Sequence, residues 1–172
     1  AVTILKVDES NIVDIKTEEG SQVVKRMVRD ADVFVENFRP GAVAKYGLDY
    51  ESLKQENEKL VYVSISAFGQ TGPLGHRPGF DDVVQATSGY MSTNDWGEGP
   101  LRTGGPVLDY STGLHATSAT LAALMLRDRT GEAQRVDVAM QDVAMLLVNL
   151  DTSAAATTGT IPGLEDNRTG TM

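Results

Sequence analysis

One carboxylate stands where chemistry could be done. In Gly104-Gly105-Pro106-Val107-Leu108-Asp109-Tyr110-Ser111-Thr112-Gly113, two glycines and a proline close one segment, and Asp109 follows where the pattern turns helical. Two readings of that acid are open. It can be a helix N-cap, accepting backbone N–H bonds at the positive end of the helix dipole. It can also be a carboxylate kept ionised by the helix start in a glycine-lined, partly dry site, and so a nucleophile or a base. The two histidines offer less. His76 falls among glycines and prolines and reads as a surface residue, while His115 reads as a packing residue on the Asp109 helix. Their spacing does not suit a metal site, and with no cysteine there is no thiol nucleophile, Cys-ligated zinc or disulfide.

The elements needed to position Asp109 read as alternating strands and helices. Strands are expected at residues 3–7, 11–15, 32–36, 60–66 and 135–139, the run Leu-Val-Tyr-Val-Ser-Ile-Ser at 60–66 being the most β-rich. Thr17 followed by Glu18 and Glu19 predicts a capped helix to about residue 29, with Val23, Met27 and Val28 inward. Short helices are expected at 42–46, 50–56 and 81–88, with loops over 68–78 and 89–106. The Asp109 helix should run to about residue 129, with Leu114, Ser118, Leu121 and Met125 on one face and alanines filling the gaps. One more helix is expected over 141–155. This alternation predicts an α/β fold, a Rossmann-like parallel sheet with flanking helices and ligands at the carboxyl ends of its strands.

Composition narrows the classes of partner. The 172 residues carry 15 Lys+Arg against 24 Asp+Glu, a formal charge of −9, with 41% hydrophobic and 23% charged residues. That is an ordinary globular balance, and it gives no basic stripe for nucleic acid or an anionic membrane. A phosphate-bearing ligand would have to be held by a few local cations. No apolar run reaches spanning length and no signal peptide is visible, so a cytoplasmic setting is expected.

Four stretches together carry a resemblance. They are Ala31-Asp32-Val33-Phe34-Val35-Glu36-Asn37-Phe38-Arg39-Pro40-Gly41; Val63-Ser64-Ile65-Ser66-Ala67-Phe68-Gly69-Gln70-Thr71-Gly72-Pro73; Pro78-Gly79-Phe80-Asp81 with Ser88-Gly89; and Asp109-Tyr110-Ser111-Thr112-Gly113 with Thr130-Gly131 and Val136-Asp137-Val138-Ala139-Met140. In this order the chain resembles the family III CoA-transferases, the group of formyl-CoA transferase and the carnitine CoA-transferases, related to α-methylacyl-CoA racemase. The resemblance implies that Asp109 is the nucleophile of an acyl-CoA:carboxylate CoA-transferase working through a covalent aspartyl intermediate. It implies coenzyme A contacts at Asn37, Phe38 and Arg39, a phosphate-facing cation at Lys45, and a pantetheine path along Ser66, Ala67 and Phe68. Coenzyme A and acyl-CoA would then be substrates, with no permanently bound cofactor and no metal. Gly104 and Gly105 are candidate oxyanion donors, because glycine lets backbone N–H groups approach closely.

The resemblance also implies an interlocked homodimer of chains more than twice this length, with a glycine-rich covering loop beyond Met172. Residues 1–156 then read as the CoA-binding and catalytic domain, and 157–172 as a polar tail or the start of a linker. Two departures keep alternatives open. Phe80 stands where the racemase branch has a histidine, and phenylalanine carries no proton, which favours transfer over an isomerase reading. Lys6-Val7-Asp8-Glu9 passes almost directly into Ser10-Asn11-Ile12-Val13, where the family has a long CoA-contacting loop. The chain therefore reads as a shortened member or a piece of one, and a non-catalytic CoA-binding fragment is the third alternative. Arg102, in the loop with Asp95 and Trp96, is a candidate partner for a substrate carboxylate or a surface charge.

Overall fold

The computed structural model describes residues 12–94 and 99–159. The strand expected at 3–7, together with Asp95 and Trp96, lies outside them. Helix α1 (Glu18–Val28) starts as its sequence dictates: the Thr17 hydroxyl accepts the Gly20 N–H at 3.0 Å, with Glu18 and Glu19 in the first turn and Lys25 and Arg26 in the last. Its buried face runs through Val24 and Val28. The strand expected over 11–15 does not form in its described residues. The Asp14 carboxylate accepts the Lys16 N–H at 3.0 Å and its carbonyl accepts the Thr17 hydroxyl at 2.9 Å, which turns the chain directly into α1.

Three parallel strands follow in the spatial order β1 (Val33–Glu36), β2 (Val61–Ser66), β3 (Arg135–Ala139). Phe34 pairs with Tyr62, Glu36 with Ser64, and Ser66 with Ala139. Parallel neighbours need crossovers. A 3-10 turn (Val43–Tyr46) and α2 (Tyr50–Glu56) link β1 to β2, while α3 (Asp81–Thr87), a second 3-10 turn (Tyr90–Asn94) and α4 (Val107–Thr130) link β2 to β3. After β3 come α5 (Met140–Leu147) and α6 (Asn149–Thr158).

The alternation of β2 divides the core in two. Tyr62 faces α1 and α2 and packs with Val24, Val28, Phe34, Leu48, Leu53 and Leu60; its hydroxyl donates to the Leu48 carbonyl at 3.0 Å. Val61 and Val63 face the other way, against Ala116 and Ala123 of α4. A third cluster, Ala67, Val84, Leu108, Met140 and Ala144, lies where β2 ends.

The face of α4 that carries Leu114, Leu121 and Met125 is exposed, and the buried face is Leu108, Thr112, Ala116 and Ala123. Alanine lets the helix axis approach the sheet, so the small residues point in and the large ones out. The single helix expected over 141–155 is two, broken at Val148, whose φ of −105° and ψ of 19° leave the helical region with no glycine or proline nearby to mark it. Helix α6 continues to Thr158, into the stretch read as a polar tail. Elsewhere the glycine signal holds: Gly131 ends α4 in the left-handed region at φ 79°.

Candidate active site

Helix α4 begins at Val107, which makes Asp109 its third residue rather than its cap; Pro106 stands at the cap position with no side-chain hydrogen bond to offer. The orphan amides of the first turn must still find acceptors. They find Asp81, at the start of α3. One oxygen of its carboxylate accepts the Leu108 N–H at 2.8 Å and the Asp109 N–H at 3.0 Å. Its other oxygen accepts the Gln85 side-chain amide. The capping role that sequence allowed to Asp109 thus belongs to another acid, 28 residues earlier in the chain.

Freed of capping, the Asp109 side chain faces outward and is exposed in this chain. Its carboxyl is held above the ordinary aspartate value, first by the desolvation that neighbouring protein imposes and then by repulsion from Asp81 and Asp82. Among the described residues the side chain is open to solvent, and the two acids on α3 oppose its ionisation. Gly104 and Gly105 border open space, since a Cβ added at either meets no atom within 4 Å.

The residues expected to hold coenzyme A fall in two groups. Ser66 ends β2 with a buried hydroxyl that has no partner among the described residues. Ala67 is buried and its carbonyl accepts the Gln141 N–H at 2.9 Å. Phe68 packs on the cluster that contains Ala67 and Leu108, so this stretch and the start of the Asp109 helix share one patch of core. Gly79 crosses directly over it: a side chain there would sit 2.5 Å from the Ala67 Cβ and 3.1 Å from the Phe68 ring. The second group lies at the carboxyl end of β1. Asn37 and Arg39 are exposed, and Phe38 is half-buried against the Tyr62 core, its N–H donating to Glu36 at 2.9 Å. Phe38 and Lys45 line one cleft of about 350 Å³ with Ile15, Ala42 and Tyr46. The structure therefore unites Phe38 with Lys45, and Ala67 and Phe68 with the Asp109 helix, in separate clusters.

The remaining candidates lie outside these two clusters. Arg102 pairs with Asp82 as a half-exposed surface ion pair. His76 lines a different cleft, of about 490 Å³, with Glu36, Tyr62, Ser64 and Arg135. His115 is exposed rather than packed, its Nδ1 2.8 Å from the Ser111 carbonyl. Phe80 is 75% exposed.

Sequence reasoning missed two buried acids. Glu36 accepts from Phe38 and Ser64 and is pushed above the usual glutamate value, mainly by burial. Its signal was available, since it lies two residues from Phe34 on the same face of β1. Asp81 had only the signal of an acid opening a helix; the Leu108 and Asp109 amides it caps are remote in sequence.

Residues 9–172 match the family model described as CoA-transferase family III. The chain belongs to that family. It is 49% identical over 135 residues to a succinate–glutarate CoA-transferase of Agrobacterium fabrum, and 40% identical over 162 residues to an acetyl-CoA:oxalate CoA-transferase of Acetobacter aceti. These alignments take in 78% and 93% of this chain but 34% and 42% of the relatives, so the chain spans less than half the length of either. A solved CAIB/BAIF family protein from Brucella suis superposes with a TM-score of 0.83 at 40% identity, covering 88% of this chain and 40% of that one. The mixed α/β architecture with its parallel sheet is thus that of a family III member. Among the described residues no helix is long and apolar enough to cross a membrane.

Proposed function

We propose that this chain carries the nucleophilic half of an acyl-CoA:carboxylate CoA-transferase, with Asp109 as the attacking group. The observation that carries the reading is the placement of Asp109 within a family III chain: an exposed carboxylate on a helix start whose amides a different acid has already satisfied. Its oxygens are left for a substrate.

The chemistry balances without proton transfer. The Asp109 carboxylate attacks the thioester carbonyl of the donor, the C–S bond breaks, and a mixed anhydride and CoA thiolate result. The thiolate attacks the Asp109 acyl carbon and releases the donor acid, leaving an aspartyl-CoA thioester. The acceptor carboxylate attacks that thioester and again expels the thiolate. Attack of the thiolate on the acceptor's acyl carbon then gives the new acyl-CoA and restores Asp109. Every nucleophile is an anion, so Asp109 must be ionised, and its raised pKa makes it the more nucleophilic once it is. The rate should fall on acidification at a higher pH than an ordinary aspartate would dictate. Developing oxyanions need donors, and the backbone at Gly104 and Gly105 borders open space beside Asp109.

Coenzyme A is assigned to Asn37, Phe38 and Arg39, with Lys45 meeting a phosphate and Ser66, Ala67 and Phe68 flanking the pantetheine arm. The shared Phe38–Lys45 cleft and the unpartnered Ser66 hydroxyl support this path. The exposed apolar residues of α4 and α6, including Leu114, Leu121, Met125 and Leu150, support a homodimer in which further chain covers them. That cover would supply the dryness that carboxylate attack needs. The isomerase alternative lacks a supporting observation, since exposed Phe80 cannot carry a proton.

The test is covalent trapping. The full-length protein is incubated with an acyl-CoA, quenched with hydroxylamine or borohydride, and mapped by mass spectrometry. A modification on Asp109 that disappears in Asp109→Ala, with turnover falling at least about a thousandfold, is the expected result. Bound coenzyme A without any adduct on the wild type would sink the reading and leave a binding module.

A further inference from the structure

We propose that Asp81 and Gln85 form a clamp whose task is to position Asp109 for attack, an inference that rests on the nucleophile reading above. The start of α4 has no cap of its own, yet it has to hold a reacting group steady. Asp81 is 5% exposed and Gln85 fully buried, so both are fixed by packing before any ligand arrives. One Asp81 oxygen takes the Leu108 and Asp109 amides, at 2.8 and 3.0 Å; the other is held by the Gln85 side-chain N–H. The oxygen of the same Gln85 amide accepts the Thr103 N–H at 3.0 Å. Two buried side chains from α3 therefore grip both ends of the segment 103–109.

Between the grips Val107 packs on the Leu108 cluster, whereas a Cβ added at Gly104 or Gly105 meets no described atom within 4 Å. At those two glycines hydrogen bonds rather than side-chain contacts set the path of the segment. Leu108, which donates to the clamp, also lies in the core with Ala67 and beside Phe68. The clamp thereby fixes the Asp109 backbone relative to the stretch assigned to the pantetheine arm. A carboxylate suits the task, because one anionic oxygen can take two amides in charge-assisted bonds. The adjacent Asp82 is a built-in control: it has the same charge and lies on the same turn, but it is exposed and paired with Arg102.

A structural cap and a positioning clamp are separated by what moves when it is loosened. The full-length protein is compared as wild type, Asp81→Asn, Gln85→Met and Asp82→Asn. The rate of adduct formation on Asp109, the KM for acyl-CoA, and amide exchange at Leu108 and Asp109 without ligand are measured. Rates are taken on the high-pH plateau, where Asp109 is ionised in every variant. Asp81→Asn is expected to slow acylation roughly 10- to 100-fold, because small misplacements of a reacting group carry that cost. Its KM should stay within about twofold while exchange at the two amides accelerates. Gln85→Met should act in the same direction by about 3- to 10-fold, and it carries the test should Asp81→Asn not fold. Asp82→Asn removes a charge that acts on Asp109 without touching the clamp, so it should leave exchange at Leu108 and Asp109 within about twofold and slow acylation less than Asp81→Asn does.

Acylation at the wild-type rate in Asp81→Asn, or equal slowing in Asp82→Asn, overturns the positioning role. Unchanged exchange in Asp81→Asn overturns the clamp itself. A wild type that forms no adduct on Asp109 overturns the nucleophile reading and with it the purpose of the clamp, and the exchange data show separately whether the clamp holds the helix.

Discussion

The two faces of the sheet are built on opposite principles. On the α1–α2 side the large residues point inward: Phe34, Leu48, Leu53 and Tyr62 are buried, the Phe34 and Tyr62 rings lie 5.2 Å apart, and the Tyr62 hydroxyl is satisfied. On the α4 side the contact with β2 is made by Ala116 and Ala123, while Leu114 is 70% and Leu121 57% exposed. One face is closed; the other presents a leucine-rich surface that the described residues do not cover. Asp109 stands on the helix of the open side, and the amides at its helix start are held by Asp81 of α3.

The largest effect should come from cutting into the closed face. Phe34→Ala removes a buried aromatic from the closed cluster and is expected to cost about 3–5 kcal/mol of unfolding free energy. Leu121→Ala, on the open face, should change the stability of the isolated chain by no more than about 0.5 kcal/mol. Chemical denaturation of both variants checks the contrast. Equal losses would mean that the α4 surface is covered even here, and that the two faces do not differ in kind.

A smaller loss is expected at the joint between the regions. Gly79 brings the segment after the Pro-rich loop so close to Ala67 and Phe68 that a Cβ would sit 2.5 Å from the Ala67 Cβ. Gly79→Ala must push that segment or Phe68 aside, at a cost of about 1–3 kcal/mol. Because Ala67 and Phe68 share a cluster with Leu108, the same change should weaken binding of a CoA thioester. Calorimetric titration of Gly79→Ala that shows native affinity with lowered stability would confine the effect to packing.

Much of this contrast was legible in the sequence, and the limits are physical. The strand over Val61–Ser66 was read within one residue because a buried parallel strand is uniform and β-rich, and that over Arg135–Ala139 to the residue because its polar and apolar residues alternate. The α1 cap was legible because capping is local. Helix α4 was legible but its buried side was not, because the leucine face and the alanine face both read as apolar and only the structure shows that Ala116 and Ala123 meet the sheet. The cap on α4, one of the two readings left open for Asp109, belongs to Asp81; that bond spans 28 residues and no local pattern encodes it. The four motifs led to the family because they are stretches of chain, and motifs do not depend on knowing which side of a helix is covered.

The smallest effect concerns Glu36, the acid that the closed face buries. Desolvation raises its pKa above 4.5, with Asp137 adding repulsion, while the Ser64 hydroxyl, the Phe38 N–H and Arg135 offset part of the rise. The folded protein therefore binds this proton more tightly than the unfolded chain does. The stability contributed by Glu36 is fully present below about pH 4.5 and is lost as the pH climbs through the folded-state value. Glu36→Gln removes that dependence and still offers an oxygen to the Phe38 N–H. Relative to wild type, the variant should gain melting temperature between pH 4 and pH 7, all other groups titrating alike in both proteins. A gap that stays constant across that range would show that Glu36 is solvated in the folded state. The 490 Å³ cleft beside it would then be a wet extension of the open side rather than part of the closed one.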